Sequence, residues 1–181
     1  ELIDLVQIVL ETYKVRLGNI RLYKENILLK GFIKEIIEEM QPIAQKTNNT
    51  LEFIQQRDIR VYADRIQLKR VIKNLIQNAI SYGEPNFPIE VSIGEIPQYI
   101  VIKVKDYGAG ISKTDIDKIF NKYYSAAKKF RKIGTGLGLY LALQIIKSHN
   151  GELSVESEEG NFTEFTIKLP AVMNINLHYG E

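Results

Sequence analysis

The feature that most constrains the fold is a glycine-rich segment that leads directly into an apolar helix. The segment Gly134-Thr-Gly-Leu-Gly-Leu139 precedes an apolar stretch that ends at His149. Such a loop offers free backbone N–H groups and the positive end of a helix dipole, which together can bind phosphate. Its G-x-G-x-G spacing differs from the dinucleotide fingerprint, and the Lys-Ser/Thr pair of a P-loop is missing. The alternative to a phosphate site is a loop that only leads into the helix, with glycines that allow close packing.

A second glycine-containing segment follows directly on a predicted strand. It reads Asp106-Tyr-Gly-Ala-Gly110. A carboxylate at a strand end, with Gly108 and Gly110 after it, suits close recognition of a planar ligand by one acceptor and the backbone. Taken alone, the same pattern is that of an ordinary turn.

Two amides lie one helical turn apart on a predicted helix over Arg65–Tyr82, for which Asp64 is the expected N-cap. Asn74 and Asn78 share one face with Arg70 and Ser81, away from the apolar stripe. Such a pair can donate hydrogen bonds together or bind one ion, and Mg²⁺ prefers oxygen ligands shared with phosphates. Two surface amides without a ligand are the alternative.

Apolar periodicity predicts the remaining elements, in an α+β order. Helices are expected over residues 2–17 and over Leu137–His149, and a short helix is expected at Lys113–Phe120. A further amphipathic helix is expected to begin near Leu28 and to contain Pro42, which would kink it or end it early. Strands are expected at Thr50–Gln55, Ile59–Tyr62, Ile89–Ile96, Tyr99–Lys105, Glu152–Ser157 and Phe162–Leu169. The strand after Tyr99 is expected to pair with the one before it.

Composition excludes several classes of protein. A net charge of +2 over 181 residues is too small to indicate binding to nucleic acid or to a membrane surface. The absence of cysteine excludes disulfides and thiolate metal sites, and two distant histidines argue against zinc. No apolar run approaches the ~20 residues of a membrane helix.

In chain order, the three segments that begin at Asn74, Asp106 and Gly134 together resemble the N, G1 and G2 boxes of the GHKL ATPase superfamily, which includes histidine kinases, Hsp90, type II gyrase and MutL. The segment Ile119-Phe-Asn-Lys-Tyr-Tyr124 resembles the F box of its histidine-kinase branch. Ile145–Gly151 and Phe162–Pro170 resemble the usual ending of that branch. The resemblance covers about residues 50–170, and it identifies a histidine-kinase catalytic domain.

The resemblance implies a fold and a division of the chain. The fold is a two-layer α/β sandwich, the Bergerat fold, with a mixed, mostly antiparallel sheet, helices on one face, and an N-terminal helical segment. Residues 1–20 would be the C-terminal end of a dimerisation and histidine-phosphotransfer helix. Residues 21–49 would form a helical connection and the first helix of the catalytic domain. Residues 50–173 would be the ATP-binding domain and residues 174–181 a tail.

The resemblance also implies roles for single residues. Asn78 would hold Mg²⁺ with Asn74 beside it, Tyr82 would stack near the adenine, and Asp106 would accept its amino group. Gly108 and Gly110 would let the loop pass close to the base. The phosphates would be bound by the G2 box and by a lid between Phe120 and Ile133, through Lys128, Lys129, Arg131, Lys132, Gly134, Thr135, Gly136, Leu137, Gly138 and Leu139. A solvated basic loop is the alternative for the lid cations.

The implied function is transfer of the γ-phosphoryl group of Mg²⁺·ATP to a histidine on an upstream dimerisation helix that this chain lacks. The partners would be that dimerisation domain and the receiver domain of a response regulator, in the cytoplasm or in the cytoplasmic part of a membrane-anchored sensor. A homodimer is expected of the full-length protein, a monomer is allowed for the fragment, and nucleic acid is not expected. His149 is expected to be structural, and His178 lies in the tail.

Two departures from the family pattern leave a second function open. Ser81 and Ser125 stand where the family commonly has Lys and Arg. The alternative is therefore a degenerate kinase that binds nucleotide and signals by conformation. A GHKL chaperone or topoisomerase subunit would require additional transducer domains.

Overall fold

The computed structural model describes residues 21–54, 57–124 and 136–171. The described strands are β1 (Lys24–Leu28), β2 (Thr50–Ile54), β3 (Arg60–Asp64), β4 (Pro88–Ile96), β5 (Tyr99–Asp106), β6 (Glu152–Glu158) and β7 (Phe162–Pro170). The described helices are α1 (Leu29–Gln45), α2 (Arg65–Tyr82) and α3 (Gly138–Ser148). The predicted helix over residues 2–17 and the tail over residues 174–181 lie outside the described residues.

The strands form two sheets. β1 and β3 pair antiparallel in a small sheet, and five strands form the main sheet in the order β2-β4-β5-β7-β6. β2 runs parallel to β4, while the other neighbours in the main sheet are antiparallel. The expected α+β fold with a mixed, mostly antiparallel sheet is confirmed.

The core lies between the main sheet and the helices. In β5, Ile100, Ile102 and Val104 are buried, whereas the alternating lysines lie on the opposite face. Helix α2 buries a continuous stripe that consists of Leu68, Val71, Ile72, Leu75, Ile76, Ala79 and Ile80. Each such side chain contributes about 1.5–3 kcal/mol through removal from water. This packing fixes α2 across the sheet.

Polar groups fix the start of α2 and the end of α3. The Asp64 carboxylate accepts the Gln67 N–H at 3.0 Å, which confirms it as the N-cap, and also the Tyr23 N–H at 2.8 Å. His149 is buried, its Nε2 accepts the Asp64 N–H at 2.9 Å, and its Nδ1 donates to the Ile145 carbonyl at 2.8 Å. The end of α3 is thereby bound to the start of α2, in agreement with a structural histidine.

Three local predictions differ from the structure. The sequence predicts a helical connection where β1 forms. The strand forms instead because it pairs with the distant β3 and buries Ile27, which is 2% exposed. Helix α1 continues past Pro42 to Gln45, since Pro42 lies in its last turn. The prediction of a short helix at Lys113–Phe120 is wrong. This segment forms turns, held by hydrogen bonds such as that from the Lys118 N–H to the Asp115 carbonyl at 2.8 Å.

Within the described ranges, no helix is long and apolar enough to cross a membrane.

Candidate functional site

A buried carboxyl group, one oxygen of which no described residue hydrogen-bonds, lies at the centre of the site. Asp106, the last residue of β5, is only 3% exposed, and its Oδ1 has no hydrogen-bond partner within the described part of the chain. Burial raises its pKa from 3.8 to about 7. Because buried polar atoms are nearly always paired, an orphaned acceptor of this kind indicates a donor that a ligand supplies.

The loop after Asp106 is bound to the end of α2. Gly108 and Gly83 form an antiparallel bridge, and the Ala109 N–H donates to the Tyr82 carbonyl at 3.2 Å. A Cβ at Gly108 would collide with the Tyr82 carbonyl oxygen and lie 2.7 Å from the Gly83 Cα. The close approach at Gly108 is therefore to the end of α2, which also lies near Asp106: a Cβ at Gly83 would be 3.5 Å from the Asp106 Cβ.

At Gly110 the same loop makes a second close contact, this time with the end of β6. Its φ is +61°, a conformation that glycine adopts without strain, and a Cβ there would collide with the Glu158 carbonyl oxygen. The loop is thus pressed between α2 and the end of β6.

The N-terminus of α3 lies against the middle of α2. A Cβ at Gly138, the first residue of α3, would collide with the Asn74 Oδ1. The Asn74 Nδ2 is buried, and it has no hydrogen-bond partner among the residues that the structure describes. Gly138 therefore lets the positive end of α3 and an available amide donor meet at one place.

Gly136 connects this helix start to the F box. Its φ is +66°, and a Cβ there would lie 2.6 Å from the carbonyl carbon of Tyr123. The Tyr123 N–H donates to the Gly136 carbonyl at 3.0 Å. Leu137 is 2% exposed and Leu139 packs against the core, so both leucines serve packing in this structure.

Asn74, Asn78 and Tyr82 occupy successive turns of α2. Eight residues at 1.5 Å each separate the two ends of this row by about 12 Å. The Asn74 end meets the N-terminus of α3, and the Tyr82 end meets the loop after Asp106. The row suits an elongated ligand with a hydrogen-bond donor at one end and anionic groups at the other.

The site supplies few ligands for a metal. Across residues 21–54, 57–124 and 136–171, no group of three or more His, Cys, Asp or Glu side chains could hold an ion. The amide oxygen of Asn78, in the middle of the row, together with phosphate oxygens fits the oxygen preference of Mg²⁺.

Several predicted site residues lie outside the described residues: Lys128, Lys129, Arg131, Lys132, Gly134, Thr135 and the departure at Ser125. Their assignment as phosphate contacts remains a prediction.

The structure adds Thr163 to the site. It is 5% exposed and lies opposite Asp106 in the pairing of β5 with β7. Its hydroxyl is 3.2 Å from that of Ser157, which accepts the Ile111 N–H at 2.8 Å. The sequence signal that could have identified Thr163 is its position: it is a polar residue on the buried face of β7, where the other residues are Phe165, Ile167 and Leu169.

Comparison with known proteins places these features in one family. Residues 63–173 match the family described as histidine kinase-, DNA gyrase B- and HSP90-like ATPases. The sensor histidine kinase WalK of Bacillus subtilis is 32% identical over 175 residues, which cover 93% of this chain and 28% of that protein. A sensor protein kinase WalK of Staphylococcus aureus is 33% identical over 173 residues, with 93% and 41% coverage. The chain thus spans less than half the length of these relatives.

Solved structures share the fold. The nucleotide-free catalytic domain of histidine kinase ThkA superposes with a TM-score of 0.73 at 28% identity, over 82% of this chain and 96% of that one. Full-length ShkA in complex with AMPPNP gives a TM-score of 0.85 over 94% of this chain and 36% of that one. Its identity of 22% makes it a likeness of fold alone.

Proposed function

Because the chain belongs to the family of histidine kinase-, DNA gyrase B- and HSP90-like ATPases, we propose that it is the ATP-binding catalytic domain of a sensor histidine kinase. The relatives WalK and ThkA, both named as histidine kinases, support this branch of the family over the others. The proposal concerns this chain as one part of a longer kinase.

The observation that carries the proposal is the buried Oδ1 of Asp106, which has no hydrogen-bond partner among the residues that the structure describes. The exocyclic amino group of adenine is a donor that matches it, and Tyr82 lies beside the loop that would face the base. From there the ribose and phosphates would follow the row along α2 to the N-terminus of α3. Backbone N–H groups and the helix dipole stabilise phosphate at such a position.

In the proposed reaction, an imidazole nitrogen of the acceptor histidine attacks the γ-phosphorus. A nitrogen–phosphorus bond forms, the bond from the γ-phosphorus to the bridging oxygen breaks, and ADP leaves. Such a transfer depends on positioning and on neutralising charge more than on reactive side chains. Mg²⁺, held by Asn78 and phosphate oxygens, would offset charge on the leaving ADP.

His149 is not suited to be the acceptor. Its ring is buried, and both nitrogens already have hydrogen-bond partners within the core. We therefore place the acceptor on an upstream dimerisation helix of a cytoplasmic homodimer, from which the phosphoryl group would pass to an aspartate of a response regulator.

The test uses a chain extended upstream to include the dimerisation helix, incubated with γ-³²P ATP. We expect acid-labile label on a histidine of that helix, and its loss in Asp106→Asn. An extended chain that binds Mg²⁺·ATP but labels no histidine would instead favour the degenerate kinase that Ser81 leaves open.

A further inference from the structure

A row of polar side chains crosses the main sheet beside Asp106. Ser157 of β6 lies opposite Thr163 of β7, and Thr163 lies opposite Asp106 of β5. Residues directly opposite each other in a sheet point to the same face, so the row belongs to the face that packs against the helices. The two neighbouring rows on this face are entirely apolar, and consist of Val155, Phe165 and Val104, and of Leu153, Ile167 and Ile102.

The Ser157 hydroxyl connects three parts of the structure. It accepts the Ile111 N–H at 2.8 Å, donates to the Phe162 carbonyl at 2.6 Å, and lies 3.2 Å from the Thr163 hydroxyl. Ile111 ends the loop that follows β5, and the other two residues begin β7. One side chain at the edge of the sheet therefore joins that loop to the β6–β7 hairpin.

The loop after β5 is held from two sides. On one side Gly108 forms a bridge with Gly83 at the end of α2, and on the other the Gly160 N–H donates to the Ala109 carbonyl at 2.9 Å. Both of these contacts join backbone atoms. The bond to the Ser157 hydroxyl comes from a side chain instead, so a substitution can remove it and loosen the loop.

The Ser157 hydroxyl also decides how Thr163 can bond to it. A serine hydroxyl has one hydrogen and two lone pairs. Because a carbonyl cannot donate, the hydrogen is used at Phe162, and the Ile111 N–H occupies one lone pair. The Thr163 hydroxyl can therefore bond to Ser157 only as a donor. Its own oxygen then remains an acceptor on the face that it shares with Asp106.

We propose that Ser157 is a positioning residue that makes the site select adenine over hypoxanthine, the base in which a carbonyl oxygen replaces the amino group. This inference rests on the proposed function, because it assumes that the base lies beside Asp106. Ser157 keeps Thr163 as a second acceptor in the row and fixes the loop next to it. An amino group supplies hydrogens to such a pair, whereas a carbonyl oxygen would leave buried acceptors unpaired.

The test compares the affinities of Mg²⁺·ADP and Mg²⁺·IDP, the corresponding hypoxanthine nucleotide. Calorimetry measures ADP, and displacement of ADP measures IDP, both at about pH 8, above the pKa of about 7 of Asp106. The variants are Ser157→Ala and Thr163→Val, which removes the second acceptor but keeps the branched shape. The matched control is Ser154→Ala, an exposed serine on the opposite face of the same strand.

Ser157→Ala should weaken ADP about tenfold, the scale of one hydrogen bond, and IDP by less than about twofold, because IDP has no amino group to misplace. Thr163→Val should also lower the ratio of ADP affinity to IDP affinity. Ser154→Ala should leave both affinities unchanged. Retained IDP binding in Ser157→Ala shows that the variant is folded.

Equal losses for the two nucleotides in Ser157→Ala would mean that this serine only supports the fold. An unchanged ADP affinity would mean that the backbone contacts alone hold the loop. Either result, or an unchanged ratio in Thr163→Val, would overturn this inference, while ADP binding to the wild type leaves the proposed function standing. A wild-type chain that binds neither nucleotide would refute the proposed function and this inference together.

Discussion

Replacing Asp106 by asparagine should stabilise the protein without nucleotide, although it should weaken nucleotide binding. Asp106 is 3% exposed, and burial raises its pKa from 3.8 to about 7. Its carboxylate form is therefore unfavourable in the folded state, with no ligand to offset the cost. Asparagine has nearly the same shape and carries no charge.

The magnitude and sign follow from the two pKa values. A rise from 3.8 to about 7 corresponds to about 4 kcal/mol above neutral pH, at about 1.36 kcal/mol per pKa unit. Because the folded state holds this proton more tightly, the wild type keeps its stability below about pH 4 and loses it as the pH rises towards 7. The advantage of Asp106→Asn should therefore grow by about 2–3 kcal/mol between about pH 5 and pH 8.

Urea unfolding of both proteins at several pH values measures this difference, provided that the slopes against urea agree. Every other titrating group, including His149, is common to both proteins and cancels in the comparison. A difference in unfolding free energy that does not change with pH would refute the assignment of Asp106 as a buried carboxyl whose pKa is raised. Adding Mg²⁺·ADP should reverse the order, because only the wild type gains strong stabilisation from the ligand.

Four further outcomes are expected. Affinity for ADP should rise about tenfold from pH 6 to pH 8, because the ionised form of Asp106 accepts the adenine amino group better; calorimetry that shows no change would contradict this. Burial lowers the pKa of His149, so the wild type should lose stability as the pH falls below about 6.5, and urea unfolding of His149→Gln should not show this loss. Gly108→Ala should weaken ADP binding by at least about tenfold because its Cβ would collide with Tyr82, whereas Gly94→Ala, with nothing within 4 Å, should bind normally. With ATP, His149 should acquire no acid-labile phosphate, which mass spectrometry of the labelled chain checks.

Local sequence signals predicted the parts of the fold that local forces decide. Helix α2 begins and ends where the sequence indicates, because Asp64 caps it, an apolar stripe spans it and Gly83 follows it. β1 was missed because Lys24–Leu28 has little apolar alternation of its own, and its partner β3 lies over thirty residues away. Long-range pairing of this kind overrides local preference.

The site was predictable in the same uneven way. Asp106 and Asn74 stand out because they belong to recognisable segments of sequence. Thr163 was missed because its place beside Asp106 depends on the register of β5 with β7.

The most direct test of the central claim is a calorimetric titration of the chain with Mg²⁺·ADP, beside the same titration of Asp106→Asn. We expect one nucleotide per chain for the wild type, and a loss of about 2 kcal/mol in the variant, the scale of a buried hydrogen bond to a charged group. Absence of binding to the wild type, or equal affinity in the two proteins, would contradict the assignment of this site to adenine nucleotide.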